Sequence, residues 1–301
     1  MNVLILGNGK DGTAAHLHRA LSEAGATVDY LDTRFFPTKL RMCWEPSAGV
    51  GYLTLPGGRR MNLEDIHSVF WRTLGEIYVP DLEDPHQQRV AYNDGMSMLR
   101  SLIQLCPARW INSWDAYQFH KEKPRQLTRA QQLGVTIPAT AIGNDPQAVI
   151  EFVQWRERVI FKPVYGGAHT QLVSPAHLEP ERLNSVLSLA PVTLQEYIPG
   201  TNIRSYVIGD AVYSAEIRSP SVDFREDKEA QLIPVEVPEM IREQSVAITR
   251  AFMMEWTAID WRLTPRGEYY FLEANPSPMF VHFENQTDYP ITRDLVNLLM
   301  Q

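Results

Sequence analysis

The sequence predicts an α/β fold with α+β portions. Three observations carry this: a strand, turn, helix and strand at the start, a long apolar stripe at helical spacing before residue 106, and a strand-rich stretch after residue 191 that ends in a hairpin. At 301 residues the chain can bury a large core, and its length favours two or three subdomains sharing one cleft. Hydrophobic residues make up 44% and charged residues 21%, while the 21 prolines and 17 glycines are scattered, so the whole chain is expected to fold.

The opening reads as a strand at 3–6, a helix after Asp11 with Leu17 and Leu21 on one face, and a strand near 28–31. A further strand is expected at 68–71 and a long helix at about 85–105, where Val90, Met96, Leu99, Leu102 and Ile103 form the stripe. Residues 110–112 close this first region, 1–113. From Trp114 the pattern changes to a helix ending at Gly134, followed by VTIPAT, a short helix after Asp145 and a strand at 159–162, which defines a second region, 114–191. The third region, 192–301, carries strands in VTLQEYI, IRSYVIG and AVYSAEIR and a helix at about 238–252. A hairpin then joins WTAIDWRL to GEYYFLEANP, and a last helix follows at about 291–300.

The net charge of −8 argues against a nucleic-acid binder, because phosphate backbones are held by dense Lys/Arg surfaces. Cys43 and Cys106 are too few and too far apart for a disulfide framework or a thiolate metal site, which points to reduced thiols and the cytoplasm. The first residues are too short an apolar run for a signal peptide, and no stretch of about 18 apolar residues occurs, so no membrane segment is expected.

Gly7, Gly9 and Gly12 form G-x-G-x-x-G directly after the first strand, with Asp29 and Asp32 near the position of a ribose-binding acid. An NAD-dependent oxidoreductase is therefore a rival reading. The same glycines also serve to turn a strand tightly into a helix that lines a substrate cleft. The second reading is preferred, because a more specific set of residues lies further along.

Asp260 in AIDWRL, with Glu273 and Asn275 in FLEANPSP, comes from two strands joined by the TPRG turn, which sets three oxygen ligands on neighbouring strands. Two carboxylates and an amide suit Mg²⁺, which keeps its other positions for water and nucleotide phosphates. No G-x-x-x-x-G-K-[ST] loop exists, so phosphate-binding lysines must come from elsewhere. Lys162, at the end of an apolar strand just before a loop containing Gly166 and Gly167, is one candidate, and Lys123, at a helix start, is another. Gln195, Glu196 and Ile198 run into a bend at Pro199 and Gly200 that can present backbone groups and a carboxylate to an adenine edge. Arg204, Arg218 and Arg225 follow and can neutralise a transferring phosphoryl group.

Taken in order, KPRQLTRAQQLGVTIPAT, VIFKP, a glycine loop, LQEYIPGTNIRSYVIG, SAEIR, VDFR, AIDWRL and FLEANPSP resemble the RimK-like branch of the ATP-grasp superfamily. The resemblance covers roughly residues 115 to 280. It implies an ATP-grasp fold with a Rossmann-like pre-grasp domain ahead of it, and a glycine segment 7–12 bordering the acceptor. It also implies ATP and Mg²⁺ as cofactors, Lys123 and Lys162 on phosphates, Glu196 on the adenine amine, Asp260, Glu273 and Asn275 on the metal, and the three arginines on phosphate and acyl phosphate. SVFWRT and the DFR segment are most similar to the graspetide maturases that cross-link ribosomal peptides of the microviridin type. This chain departs from them in two places: Asn202 stands where the family usually has a ribose-binding acid, and the stretch from Lys162 to Gln195, where those maturases carry the precursor-docking hairpin, is short.

The expected activity is thus an ATP- and Mg²⁺-dependent ligase that activates a carboxylate as an acyl phosphate and joins it to an amine or hydroxyl. The substrate is an amino acid, a small peptide or a ribosomal peptide side chain, and family habit suggests a homodimer. A non-catalytic ATP-binding partner module is the remaining alternative.

Overall fold

A computed structural model of the chain describes residues 1–165, 169–219 and 230–301. In chain order the elements begin with β1 (Asn2–Leu6), α1 (Gly12–Glu23), β2 (Thr27–Leu31), β3 (Arg41–Glu45), β4 (Val50–Thr54), β5 (Arg60–Asn62), β6 (Ser68–Trp71), α2 (Pro85–Leu105) and β7 (Arg109–Ile111). They continue with α3 (Trp114–Lys121), α4 (Lys123–Gln132), β8 (Thr140–Gly143), α5 (Pro146–Gln154), β9 (Val159–Pro163), β10 (Gln171–Leu172), α6 (Pro180–Leu189) and β11 (Val192–Glu196). The remainder is β12 (Thr201–Ile208), β13 (Ala211–Arg218), β14 (Gln231–Pro234), α7 (Glu239–Ala251), β15 (Trp256–Leu263), β16 (Tyr269–Asn275), α8 (Val281–Thr287) and α9 (Ile291–Met300). No described helix is long and apolar enough to cross a membrane.

The chain divides into two compact units, residues 1–115 with 277–301, and residues 116–276. The first unit holds a parallel sheet in the order β2-β1-β6-β7. Its central strand β1 is an unbroken apolar run, Val3 to Leu6, with no residue more than 1% exposed, as a strand covered on both faces requires. The Asp11 carboxylate accepts from Ala14 N at 2.8 Å and starts α1 directly behind the glycine turn. Asp84 caps α2 in the same manner, with Pro85 in the first turn where its missing N–H costs nothing. A three-stranded antiparallel sheet, β3-β4-β5, and helix α8 were not among the expected elements.

The first expected boundary, 113, falls two residues short of the observed 115, whereas the expected third region divides at Pro276. Residues beyond it belong to the first unit. Ser68 Oγ on β6 donates to Leu299 O at 2.7 Å in the interior, and Arg109 on β7 donates to Leu298 O at 2.9 Å.

The second unit contains two antiparallel sheets, ordered β10-β9-β11-β8 and β14-β13-β12-β15-β16. Strand β11, assigned from the sequence to the third region, pairs with β8 and β9 and so completes the central sheet instead. The stretch from Trp114 to Gly134 holds two helices, α3 and α4, the second starting at Lys123 as expected; Pro124 in its first turn lacks the N–H that a helix continuous with α3 would need. One face of the five-stranded sheet is apolar: Ile203, Val207, Ile259, Trp261, Phe271 and Ala274 pack with Leu127 and Ala130 of α4 and Ile241 and Ile248 of α7. Alternation along each strand therefore turns Asn202, Arg204, Asp260 and Glu273 to the other face.

Candidate functional site

The polar face of the five-stranded sheet is built by strand register. Asp260 on β15 lies directly opposite Arg204 on β12 and Glu273 on β16. Asn275, two residues beyond Glu273, opposes Ala258 and shares that face. A β-bulge between Asp260 and Trp261 makes this possible: it lets Phe271 and Ala274 both reach the core, at an odd spacing, while Glu273 between them stays opposite Asp260.

Arg204 makes a two-pronged contact with Asp260, Nε to Oδ1 at 2.7 Å and Nη2 to Oδ2 at 2.8 Å. Burial works against the guanidinium charge, but the Asp260 carboxylate outweighs it and holds Arg204 above the usual arginine range. Lys123, the first residue of α4, brings Nζ to 2.9 Å from Glu273 Oε2. Lysine and arginine cations thus stand beside both carboxylates.

Two residues that sequence reasoning missed support this face. Gln126, 1% exposed, donates Nε2 to Ala274 O at 3.1 Å and accepts from Ala274 N at 3.2 Å. His120 sets Nδ1 3.0 Å from the same carbonyl. Burial and the nearby Lys123 ammonium lower His120 to a pKa of about 4, so near neutrality the ring is uncharged and Nδ1 carries the hydrogen that Ala274 O accepts.

On the central sheet, Lys162 and Gln195 meet on neighbouring strands β9 and β11, Nζ to Oε1 at 3.3 Å, and Gln195 Nε2 donates to Thr140 Oγ1 at 3.0 Å. Glu196 ends β11, its N–H held by Ala139 O at 2.9 Å, and Ile198 is buried just beyond. Arg262 ties this segment to the other sheet, with Nε to Ile198 O at 2.9 Å and Nη1 to Asn202 Oδ1 at 3.1 Å. Gly200 is required between them: its φ is +139°, and a Cβ there would lie 1.9 Å from Leu263 O.

The structure thus brings together Lys123, Arg204, Asp260, Glu273 and Asn275 on one face, and Lys162 with Gln195 on the other sheet. Arg218 is not in the first group. Ala215 is the β13 residue opposite Arg204, so alternation turns Arg218 to the opposite face, where it is exposed and paired with Glu216 at 3.0 Å. Gly166, Gly167 and Arg225 lie outside the described residues. In the first unit, the two acids that an NAD reading would need are both engaged, Asp29 with Arg59 and Asp32 with Arg34.

The donor set fits magnesium and a nucleotide. Asp260, Glu273 and Asn275 offer hard oxygens from adjacent strands, and lysine and arginine stand beside them for phosphate. Among the described residues no group of three or more His, Cys, Asp or Glu could hold a metal ion, so this set rests on two carboxylates and the Asn275 amide.

Residues 120–299 match the family model of the RimK-like ATP-grasp domain. No curated protein sequence matches. Among solved structures the chain is similar to the macrocyclase MdnC from Microcystis aeruginosa MRC, bound with precursor peptide MdnA, at 26% identity and a TM-score of 0.87 over 100% of both chains. It is also similar to the ATP-grasp ligase PsnB complexed with a minimal precursor, at 25% identity and a TM-score of 0.86, covering 99% of this chain and 97% of that one. The VanG D-Ala:D-Ser ligase from Enterococcus faecalis shares the fold at 15% identity and a TM-score of 0.67, with 99% and 98% covered.

Proposed function

This chain belongs to the RimK-like ATP-grasp family, and from that premise we propose that it is a peptide-modifying ligase that joins side-chain carboxylates of a ribosomal precursor peptide to amines or hydroxyls. It is an ATP- and Mg²⁺-dependent ligase of the ATP-grasp class. The observation that carries the site assignment is the shared face of Asp260, Glu273 and Asn275 with Lys123 and Arg204 beside them. The peptide substrate is supported by whole-length similarity to MdnC and PsnB, each solved with a precursor.

Bound at this face, Mg·ATP would supply the γ-phosphoryl group that turns a carboxylate into an acyl phosphate. Lys123 and Lys162 would hold phosphate oxygens, and Gln195 would keep Lys162 aimed from the strand beside it. Glu196 and Ile198 would meet the adenine edge, and Asn202, already hydrogen-bonded to Arg262, would take the ribose side. Arg204, fixed by Asp260, would offer a planar set of donors to the developing oxyanion. The reading extends to a cytoplasmic homodimer, supported by the sparse cysteines and by family habit.

The test is ADP and phosphate release with Mg·ATP against acidic precursor-like peptides, amino acids and dipeptides, with product masses followed in parallel. ADP release coupled to loss of one water per bond from a peptide supports the reading. Turnover confined to free amino acids overturns the peptide assignment, and ATP binding without turnover on any acceptor overturns the ligase site.

A further inference from the structure

Among the described residues β16 is the last strand of its sheet, and β15 is the one strand it pairs with. The peptide groups on its outer side need other partners, and without them an edge strand can fray or slip. Two come from α4 and the loop after it: Phe271 N donates to Thr136 O at 2.9 Å, and Gln126 closes both ends of Ala274, N–H and C=O. The Gln126 amide therefore does what a neighbouring strand would do at one residue.

That residue is Ala274, between Glu273 and Asn275. We infer that His120 and Gln126 are positioning residues that hold the Ala274 peptide so that the carboxylate before it and the amide after it converge on one cation; the inference rests on the magnesium assignment made above. Four features carry it. Gln126 is a polar residue at 1% exposure whose amide both donates to and accepts from the Ala274 backbone, with His120 Nδ1 3.4 Å from its Nε2. Lys123, one turn earlier on the same helix, reaches Glu273, so a single helix start fixes both the residue and its neighbour. From the other side, Thr257 Oγ1 donates to Asn275 O at 2.7 Å, which pins the far ligand's backbone. His120 adds a third hold, through Nδ1 at 3.0 Å from Ala274 O.

The choice of ring nitrogen makes the inference specific. An asparagine at 120 can place an amide N–H close to the Nδ1 position, whereas a glutamine places it near Nε2, away from Ala274. Mn²⁺ serves as the probe: its affinity for the full-length protein in the presence of ADP is measured by electron paramagnetic resonance for wild type, His120→Asn, His120→Gln and Gln126→Leu. ADP affinity without metal and the melting temperature are recorded alongside. Wild type and His120→Asn should bind Mn²⁺ alike. His120→Gln and Gln126→Leu should bind it about 10- to 100-fold more weakly, the usual cost of losing a group that orients a metal ligand, with ADP affinity unchanged. In turnover the same two variants should raise the Mg²⁺ concentration needed for half-maximal rate more than they lower kcat. Equal Mn²⁺ affinity in all four proteins, or equal loss in the Asn and Gln variants, overturns the positioning role. Absence of Mn²⁺ binding by wild type with ADP instead overturns the ligand assignment beneath it.

Discussion

Two arginine–aspartate pairs of similar chemistry sit in the two units and do different work. In the first unit, Arg72 at the end of β6 binds Asp11 through Nε at 3.1 Å and Nη2 at 3.0 Å, and sends Nη1 to Ser277 O at 2.9 Å and its Oγ at 3.2 Å. Ser277 Oγ returns a hydrogen bond to Arg72 O at 2.7 Å, and Asp11 caps α1 at the same time. All three guanidinium nitrogens thus close one fastener across segments distant in sequence, with the Arg72 side chain only 12% exposed. In the second unit, Arg204 grips Asp260 just as squarely, but across two neighbouring strands of the sheet's polar face, beside Glu273. A paired arginine is thus not diagnostic of a site; what distinguishes Arg204 is a second carboxylate directly across the register and a lysine beside it.

That contrast can be broken at its strongest point first. Glu273→Gln keeps the shape of the sheet but removes one metal-binding charge, and should cost several kcal/mol of transition-state stabilisation, about 1000-fold in ADP formation, with the melting temperature little changed. Full activity would remove the second unit's pair from the chemistry. Arg72→Ala should do the reverse, lowering stability in a urea melt by about 3 kcal/mol because Asp11 and Ser277 lose their partner. Metal affinity in the surviving folded protein should hold.

A pH titration sharpens the comparison further. His120 has a folded pKa of about 4, below the usual 6.5, so the folded protein binds fewer protons than the unfolded chain between these values. Stability from this group is therefore whole above about pH 6.5 and falls as the pH drops toward about 4, by up to about 3 kcal/mol. His120→Asn should lack that component, and an identical pH dependence in the two proteins would refute it. The smallest effect is expected at Arg218→Ala. An exposed pair with Glu216 contributes less than about 1 kcal/mol, and turnover should change by less than about threefold. A large loss there would mean that the site reaches round to the other face of β13.

Much of the architecture can be read from the sequence because local pattern and tertiary fate agree. Helix α2 spans the expected residues, since Asp84 and Pro85 mark its start and the apolar stripe its length. The hairpin of β15 and β16 is also legible, and with it the carboxylates on its strands. Elements whose signal is spread over a distance are not. The β3-β4-β5 sheet hides in short strands separated by the turns at Gly49 and Gly58. The bulge that sets Glu273 opposite Asp260 defeats simple counting of alternate residues. Gln126 reads as an ordinary surface residue of a polar helix, because the peptide it satisfies lies 148 residues later. Arg218 illustrates the converse: proximity in sequence to Arg204 says nothing about which side of a strand it occupies.

The return of residues 277–301 to the first unit makes the second unit an insertion within the first. Synthesis on the ribosome then proceeds out of spatial order. The strands β1, β2, β6 and β7 emerge early, yet Ser68 and Arg109 wait for backbone carbonyls of α9 that are made after the whole second unit. The inserted unit, contiguous from residue 116 to 276, has no such wait and can complete its own sheets first. Deletion of α9 alone would therefore spare β15 and β16 and strike the parallel sheet, whose strands lie almost two hundred residues or more earlier in the sequence.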